Sequence, residues 1–219
     1  MCADPGKQSV HDGSPPETDP RHVDRGVARR QAFLVAAREV FLEQGFEEAS
    51  VNEVVRRAGG SLATLYAQFG NKEGLFLAVA QDQQERFMRA ITPENVDHLA
   101  LADGLQTIGE RYVRTLLARD NLAFFRIIVG EGRKYPQLLQ RYSSSVADRV
   151  RAIITNYMKS CGAPIEAPDT AAAYFLDIMR GRHQYRALSE AGYALSDADI
   201  SAHVRAGVTF FLNGALPRD

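Results

Sequence analysis

Polar and small side chains between residues 50 and 72 have the chemistry needed to contact a nucleic acid. Thr64 and Gln68 carry groups that can hydrogen-bond to base edges, and the small side chain of Ala63 can meet a thymine methyl group. Ser61 stands just before them, where the free N–H groups at the start of a helix would favour a phosphate. The segment therefore favours recognition of double-stranded DNA, if one side of a helix presents these residues.

Two short helices joined by a glycine turn are predicted to carry this segment. Ser50 and Glu53 have the spacing of a capping box, in which each side chain binds a backbone N–H of the other residue, and Ser61 caps the second helix. Gly59 and Gly60 end the first helix. Helices of about two turns are unstable alone, so both must pack on longer neighbours. This is the helix-turn-helix arrangement, whose second helix enters the major groove.

The helix that follows Ser61 should bury one side and expose the other, because helical residues three and four apart share a face. The predicted apolar stripe consists of Leu62, Leu65, Tyr66 and Phe69. The predicted outward side consists of Ala63, Thr64, Ala67 and Gln68. Many all-α proteins that never bind DNA also contain two helices around a glycine turn, so the pattern alone leaves a purely structural role open.

Longer helices are predicted on both sides of the pair. Apolar residues recur at helical spacing from residue 25 to 44, and Gly45 ends that helix ahead of the apolar anchor Phe46. Asn71 caps a helix that continues until Pro93 forces a break. Further helical patterns span residues 101–117, 122–129, 136–158, 168–188 and 197–212.

The fold class is therefore predicted as all-α. Residues 1–22 are poor in large apolar side chains and are expected to form a disordered tail, whose basic end could touch DNA but is more simply an idle segment. Residues 23–92 are expected to form a three-helix DNA-binding domain of the helix-turn-helix type. Residues 93–219 are expected to form a helical bundle for ligand binding and dimerisation.

Composition narrows the classes of partner. The net charge of −1 gives no overall attraction to DNA, so any attraction must come from a local excess of basic residues between residues 21 and 72. Cys2 and Cys161 cannot form a disulfide framework or a zinc cluster, and neither a metal nor a cofactor is expected. No apolar run is long enough to cross a membrane or to act as a secretory signal, so a cytoplasmic location is expected.

The segment SVNEVVRRAGGSLATLYAQFGNKEGLF resembles the signature of the tetracycline-repressor (TetR) family. The shared elements are Ser50, Ala58-Gly59, Thr64-Leu65-Tyr66, Phe69 and Asn71-Lys72-Glu73. Gly60 departs from the branched apolar residue usual there, which should loosen the turn. Ala63 stands where glycine or proline is common, which should shift the preference for bases.

The resemblance implies a transcriptional repressor that binds a palindromic operator as a homodimer and is released by a small-molecule inducer. It implies that Ser50, Tyr66 and Lys72 bind phosphates. It implies that Leu62, Ala63, Thr64 and Gln68 face the bases, and Ser61 and Ala67 complete the predicted DNA-binding set. The structural alternatives are a packed aromatic for Tyr66 and an ordinary solvated residue for Lys72.

Two C-terminal helices carry apolar residues around much of their circumference, which favours a four-helix interface between two copies. The residues concerned are Ala172, Phe175, Leu176, Ile178, Met179 and Leu188 on one helix, and Ile200, Val204, Val208, Phe210, Phe211 and Leu212 on the other. The alternative is that one chain buries them all. Candidates for the ligand pocket are Tyr112, Arg126, Glu131, Met179, His183 and Tyr185.

An all-α enzyme, or a ligand-binding protein whose helix-turn-helix no longer functions, is the alternative function. The chain contains no HExxH zinc motif, no phosphate-binding loop ending in Gly-Lys-Ser/Thr and no GxSxG nucleophile motif. No catalytic residues are therefore predicted, and the regulator is the favoured interpretation.

Overall fold

The computed structural model describes residues 20–215 apart from 93–95, 97 and 133, and it describes side chains there except at 20–24, 137–145 and 215. This part of the chain forms nine α-helices and contains no β-strand. They are α1 (Pro20–Glu48), α2 (Val51–Ala58), α3 (Leu62–Phe69), α4 (Lys72–Ile91), α5 (Leu101–Leu116), α6 (Arg119–Glu131), α7 (Pro136–Ser160), α8 (Pro168–Ser189) and α9 (Asp197–Ala215). The all-α prediction is confirmed.

The first helix begins earlier than its apolar pattern indicated. Residues 20–22, predicted to belong to the tail, are helical, and residues 1–19 lie outside the described part. Gly45 does interrupt α1, with φ of 76° and ψ of 179°. The chain direction changes there, and Phe46 turns inward to pack on Phe41 with ring centroids 6.0 Å apart.

Two apolar cores divide the molecule. The N-terminal core lies between α1, α2, α3 and the first half of α4, and its fully buried members include Phe33, Phe41, Leu65 and Phe76. The C-terminal core lies between the second half of α4 and helices α5, α7, α8 and α9. Helix α4 belongs to both cores, so the two cores meet partway along it. This point lies before residue 92, near which the sequence predicted the domain boundary.

Helix α6 also connects the two cores, although the sequence places it in the C-terminal bundle. Phe124 and Ile128 on α6 are buried in the N-terminal core, and the Phe124 ring stacks on Phe76 with centroids 5.6 Å apart. Arg38 of α1 pairs with Asp120 of α6 at 3.4 Å. A displacement of α6 would therefore act directly on the helices that support α2 and α3.

The C-terminal core is packed closely enough to depend on glycine. A Cβ atom at Gly207 of α9 would lie 2.4 Å from the Cε atom of Met179, and one at Gly109 of α5 would lie 2.7 Å from the Cγ1 atom of Val204 on α9, so a larger residue at either position would force neighbouring side chains to move. Among the described residues, no helix is both long enough and apolar enough to cross a membrane.

Candidate functional site

Helix α3 presents the outward side that its sequence predicts. Leu65 and Phe69 point into the N-terminal core with 0% and 8% of their surface exposed. Ala63, Ala67 and Gln68 are exposed and Thr64 is half-buried. The described part of the chain thus leaves this side open, which is the condition for α3 to lie in a groove of DNA.

The predicted apolar stripe of α3 is narrower than the sequence indicated. Leu62 is 37% exposed and Tyr66 is 44% exposed, so neither belongs to the buried side. Because Tyr66 is exposed, the alternative that its ring only packs inside the protein does not hold. The exposure of Leu62 and Tyr66 also makes both side chains available for the DNA contacts that the resemblance implies.

A side-chain cap fixes the start of α3. The Oγ atom of Ser61 accepts a hydrogen bond from the backbone N–H of Thr64 at 3.1 Å and lies 2.9 Å from the Thr64 Oγ1 atom. The two hydroxyls therefore share a hydrogen bond in the free protein. Either can rotate toward a base or phosphate in exchange for that bond.

The turn before α3 requires glycine at position 60. Gly60 has φ of +106°, a conformation that side chains strongly disfavour, and a Cβ atom there would lie 3.1 Å from the Phe33 ring. Arg29 closes the turn from α1 by donating to the carbonyl oxygen of Ala58 at 3.3 Å. The backbone conformation and the close approach of α1 therefore demand glycine here, and the expectation that Gly60 loosens the turn stays a prediction.

Helix α2 is capped at Ser50, but only half of the predicted capping box forms. The Ser50 Oγ atom accepts from the N–H of Glu53 at 3.4 Å. The N–H of Ser50 donates instead to the side chain of Gln44 at 3.3 Å. Glu53 is turned away from the cap because two arginines compete for its carboxylate.

Those arginines form an ion-pair network, the α1–α2 clasp, that fastens α2 to α1. Glu53 accepts hydrogen bonds from Arg56 at 2.6 and 2.7 Å and from Arg57 at 2.7 Å. Arg57 also donates to Glu43 of α1 at 2.6 and 2.8 Å. The hydrogen bond from Arg56 has the largest effect on the pKa of Glu53 and that from Arg57 the next largest, and they lower this pKa to about 2. The clasp is therefore fully charged at neutral pH.

Lys72 lies beside the open side of α3, and its side chain contacts other residues of the protein. Its Nζ atom donates to the carbonyl oxygen of Glu47 at 2.6 Å and lies 5.2 Å from the centroid of the Phe46 ring. An ammonium has three donors, so this bond leaves capacity for a phosphate. Asn71 caps α4 as predicted, accepting from the N–H of Gly74 at 2.7 Å.

Arg30 is a candidate contact that sequence analysis missed. Its guanidinium lies over the Phe69 ring, 4.9 Å from the centroid, at the end of α3, and the residue is exposed. Stacking on an aromatic ring holds a cation at the edge of the open side of α3. Helical spacing could not reveal this, because the two residues are far apart in sequence and meet only in the folded chain.

The C-terminal bundle contains a cavity of about 220 Å³ between α4, α5, α6, α7 and α8. Of the predicted pocket residues, Tyr112 lines it. Other polar lining residues are Asn121, Arg180 and Gln184, none of which the sequence singled out. Its apolar lining consists of Phe87, Leu116, Leu122, Phe125, Val146, Ala147, Val150 and Leu176.

The other predicted pocket residues lie elsewhere. Arg126 donates to the carbonyl oxygen of Ala187 at 2.6 Å and so joins α6 to the end of α8. Glu131 lies at the end of α6. Met179 is fully buried against α9, and Tyr185 is 74% exposed. These four side chains do not line the cavity.

His183 is buried in a small polar cluster apart from the cavity. Its Nδ1 atom lies 2.5 Å from the Tyr193 hydroxyl, and its ring is 4.4 Å from that of His203. Burial, followed by the nearby charges of His203, Arg182 and Arg186, lowers the pKa of His183. His183 therefore contributes to the packing between α8, α9 and the loop that joins them.

An open groove of about 830 Å³ runs along α8 and α9. Its apolar lining includes Tyr174, Ile178 and Phe210, and Tyr174 and Phe210 are 64% and 73% exposed. Most apolar residues predicted for an interface between copies are instead used inside the chain, including Phe175, Val204 and others of that set. The surface left for a partner is therefore smaller than the sequence suggested.

Two families match the chain. Residues 33–79 match the tetR family of bacterial regulatory proteins, and residues 103–214 match the C-terminal domain of AefR-like transcriptional repressors. The repressor AcnR of Corynebacterium efficiens is 33% identical over 89 residues, which cover 41% of this chain and 46% of AcnR. The chain thus spans about half the length of the curated relatives that it matches first.

Solved structures resemble the chain over most of its length. The flavonoid-responsive regulator FrrA is 29% identical, with a TM-score of 0.72, over 87% of this chain and 98% of FrrA. A structure assigned to the TetR family from Mesorhizobium loti has a TM-score of 0.78 over 87% of this chain and 98% of its own, with 22% identity. At that identity the likeness concerns the fold alone.

Proposed function

The chain belongs to the TetR family of bacterial transcription regulators, and from that premise we propose that it is a sequence-specific repressor released from a palindromic operator by a small molecule. The observation that carries the proposal is the open side of α3, where Ala63, Thr64 and Gln68 stand above a buried Leu65 and Phe69. Tyr66 and Lys72 flank that side as phosphate contacts, with Ser50 and Arg30 at its margins. Phosphate contacts set the register on the duplex, and the α3 side chains select the sequence.

A second copy of the chain would cover the groove along α8 and α9. The exposed aromatic rings of Tyr174 and Phe210 are costly to leave in water, and members of this family typically dimerise. Two-fold pairing through these helices would direct both α3 helices to one face of a duplex, in successive major grooves about 34 Å apart. That geometry requires a palindromic operator.

The cavity in the bundle is the proposed inducer site. Leu122 and Phe125 of α6 line it, while Phe124 and Ile128 of the same helix are buried in the N-terminal core. A ligand that shifts α6 would thus disturb the support of α1 and α4, and with it the setting of α3. At about 220 Å³ the cavity lies below the roughly 300–1,000 Å³ typical of sites for drug-sized ligands, so a ligand smaller than a flavonoid is proposed.

Retardation of DNA from upstream of the protein's own coding sequence tests the proposed function. Binding should weaken steeply with added salt, and the double variant Tyr66→Ala, Lys72→Ala should weaken it on every sequence and reduce the salt slope by about 1. A matched double variant in the bundle, Tyr185→Ala with Lys159→Ala, should bind as the wild type does, since both residues are exposed and far along the chain from α3. Equal binding by the two double variants would refute the docking of α3.

Selection of sequence should respond to different residues. Replacing Thr64 or Gln68 by alanine should change the preferred operator and cost about 1–3 kcal/mol at the affected base pair. Binding to unrelated DNA should change little. A selection of random duplexes by each variant would measure this, and an unchanged consensus would exclude α3 from base recognition.

The alternative of an all-α enzyme has no support among the relatives described above, which are transcription regulators. A ligand-binding protein with a non-functional helix-turn-helix is disfavoured by the completeness of the DNA-binding side, whose caps at Ser61 and Asn71 are both formed.

A further inference from the structure

The cavity in the bundle contains a buried acceptor with no partner. Asn121 is 5% exposed, and its Nδ2 atom donates to the carbonyl oxygen of Leu116 at 3.2 Å. A carbonyl can only accept, so this bond fixes the amide orientation and leaves the Oδ1 atom as a buried acceptor without a hydrogen bond. A buried acceptor is expensive to leave unpaired, and this one belongs to a side chain that lines the cavity.

A cation stands at the same cavity. Arg180 is the single charged side chain among the described residues that line it. Its guanidinium is paired with Asp177, but the carboxylate is largely exposed and 3.7 Å away, so the pairing is weak. Burial acts to lower the pKa of Arg180, but its interaction with the Tyr112 hydroxyl and the charge of Asp177 raise it overall. The guanidinium, with five N–H donors, can therefore receive an anion.

The rest of the lining is apolar and partly aromatic. Phe87 and Tyr112 meet edge to face with ring centroids 6.2 Å apart, and Phe125 faces the cavity from α6. The volume of about 220 Å³, below the roughly 300–1,000 Å³ typical of sites for drug-sized ligands, suits a single substituted ring.

We infer that the cavity binds a small aromatic carboxylate bearing a hydroxyl group, with the carboxylate on Arg180 and the hydroxyl donating to the Oδ1 atom of Asn121. The inference rests on the proposed inducer site and gives it a chemical class. A hydroxyl supplies the donor that the Asn121 acceptor lacks, while the ring occupies the space between Phe87, Phe125 and Leu122.

Calorimetry on the purified full-length protein tests this without DNA. The probes are 3-hydroxybenzoate and 4-hydroxybenzoate, compared with the fluorobenzoate of the same substitution, which is similar in shape but has no donor. At least one hydroxybenzoate should bind about tenfold or more tightly than its fluoro analogue, because the analogue leaves the buried acceptor unpaired. Equal affinities, or no binding by either probe at millimolar concentration, would overturn the inference.

Substitutions at Asn121 and Arg180 test the two proposed contacts separately. Asn121→Leu should bring the hydroxyl and fluoro analogues to within about twofold of each other. Arg180→Gln should weaken both acids about tenfold, whereas Arg182→Gln, an exposed neighbour on α8 outside the cavity, should weaken neither. If Asn121→Leu does not fold, the comparison of analogues on the wild type still decides. Persistence of the hydroxyl preference in a folded Asn121→Leu protein would exclude the Asn121 contact.

The same preparations separate this inference from the proposed function. Hydroxybenzoate binding without retardation of DNA would uphold the site and refute the repressor. Retardation of DNA without hydroxybenzoate binding would uphold the repressor and refute the ligand class.

Discussion

The proposed DNA-binding side and the proposed ligand cavity are built in opposite ways. The first is formed by residues 50–72, a continuous segment whose helix ends are set by caps and glycines. The second is lined by residues spread from Phe87 to Gln184 on five helices. A functional surface on one short helix follows from local rules, whereas a cavity follows from how distant helices pack.

The two regions also differ in how they are held together. The α1–α2 clasp fastens the proposed DNA-binding side through charged groups at the surface, in which Arg57 joins Glu53 to Glu43. The C-terminal core relies on close apolar contact, as at Gly207 and Met179. Helix α6 contributes side chains to both regions, so the two regions share a helix.

Removing the α6 contribution to the N-terminal core should have the largest effect. Phe124→Ala deletes a ring that is 1% exposed and stacked on Phe76, and should lower the free energy of unfolding by about 3–5 kcal/mol. Val129→Ala on the same helix is the control, because Val129 is 49% exposed and its loss should change stability by less than about 1 kcal/mol. Denaturant unfolding measures both. Equal losses would mean that α6 belongs to the bundle alone.

The turn before α3 gives the next largest effect. Gly60→Val restores the branched residue usual in the family, yet here it should destabilise the protein by about 1–3 kcal/mol because of the positive φ and the nearby Phe33 ring. Gly26→Ala is the matched control, since nothing lies within 4 Å of its Cβ position in α1 and alanine favours helix by about 1 kcal/mol. Thermal unfolding of both variants should show opposite shifts. A stabilising Gly60→Val would mean that the turn adopts the usual family conformation.

The sequence predicted what depends on neighbours along the chain. The caps at Ser50, Ser61 and Asn71 formed, and the break at Gly45 occurred where it was predicted. The buried stripe of α3 was predicted too wide, since Leu62 and Tyr66 are exposed. Periodicity shows which residues share a face of the helix, but it does not show how much of that face the neighbouring helices cover.

Of the polar residues that line the cavity, the sequence predicted only Tyr112, because a polar side chain among apolar neighbours has several possible positions in a bundle. Arg126 and Arg180 both fit that description in sequence. In the fold, Arg126 binds the carbonyl oxygens at the end of α8, while Arg180 lines the cavity. Only the packing of α6 against α8 distinguishes the two.

The smallest expected effect concerns the α1–α2 clasp at low pH. The pKa of Glu53 is about 2 in the folded protein, against an ordinary value of 4.5. A carboxyl whose pKa is lowered by folding stabilises the folded state at pH values above its ordinary pKa. That contribution is lost as the pH falls from about 4.5 toward 2. Glu53→Gln should therefore unfold with a weaker dependence on pH than the wild type across that window.

Glu190 supplies the control for that measurement in the other region. Its pKa is also lowered, chiefly by the hydrogen bond of Arg186, but that pair lies within one stretch of chain and joins no second helix. Glu190→Gln should therefore change the pH dependence less than Glu53→Gln does. Both carboxylates are at the surface, so added salt should reduce both effects. Urea unfolding at several pH values between 5 and 2 would decide, and equal profiles for the two variants would show that joining α1 to α2 adds nothing to an ordinary surface ion pair.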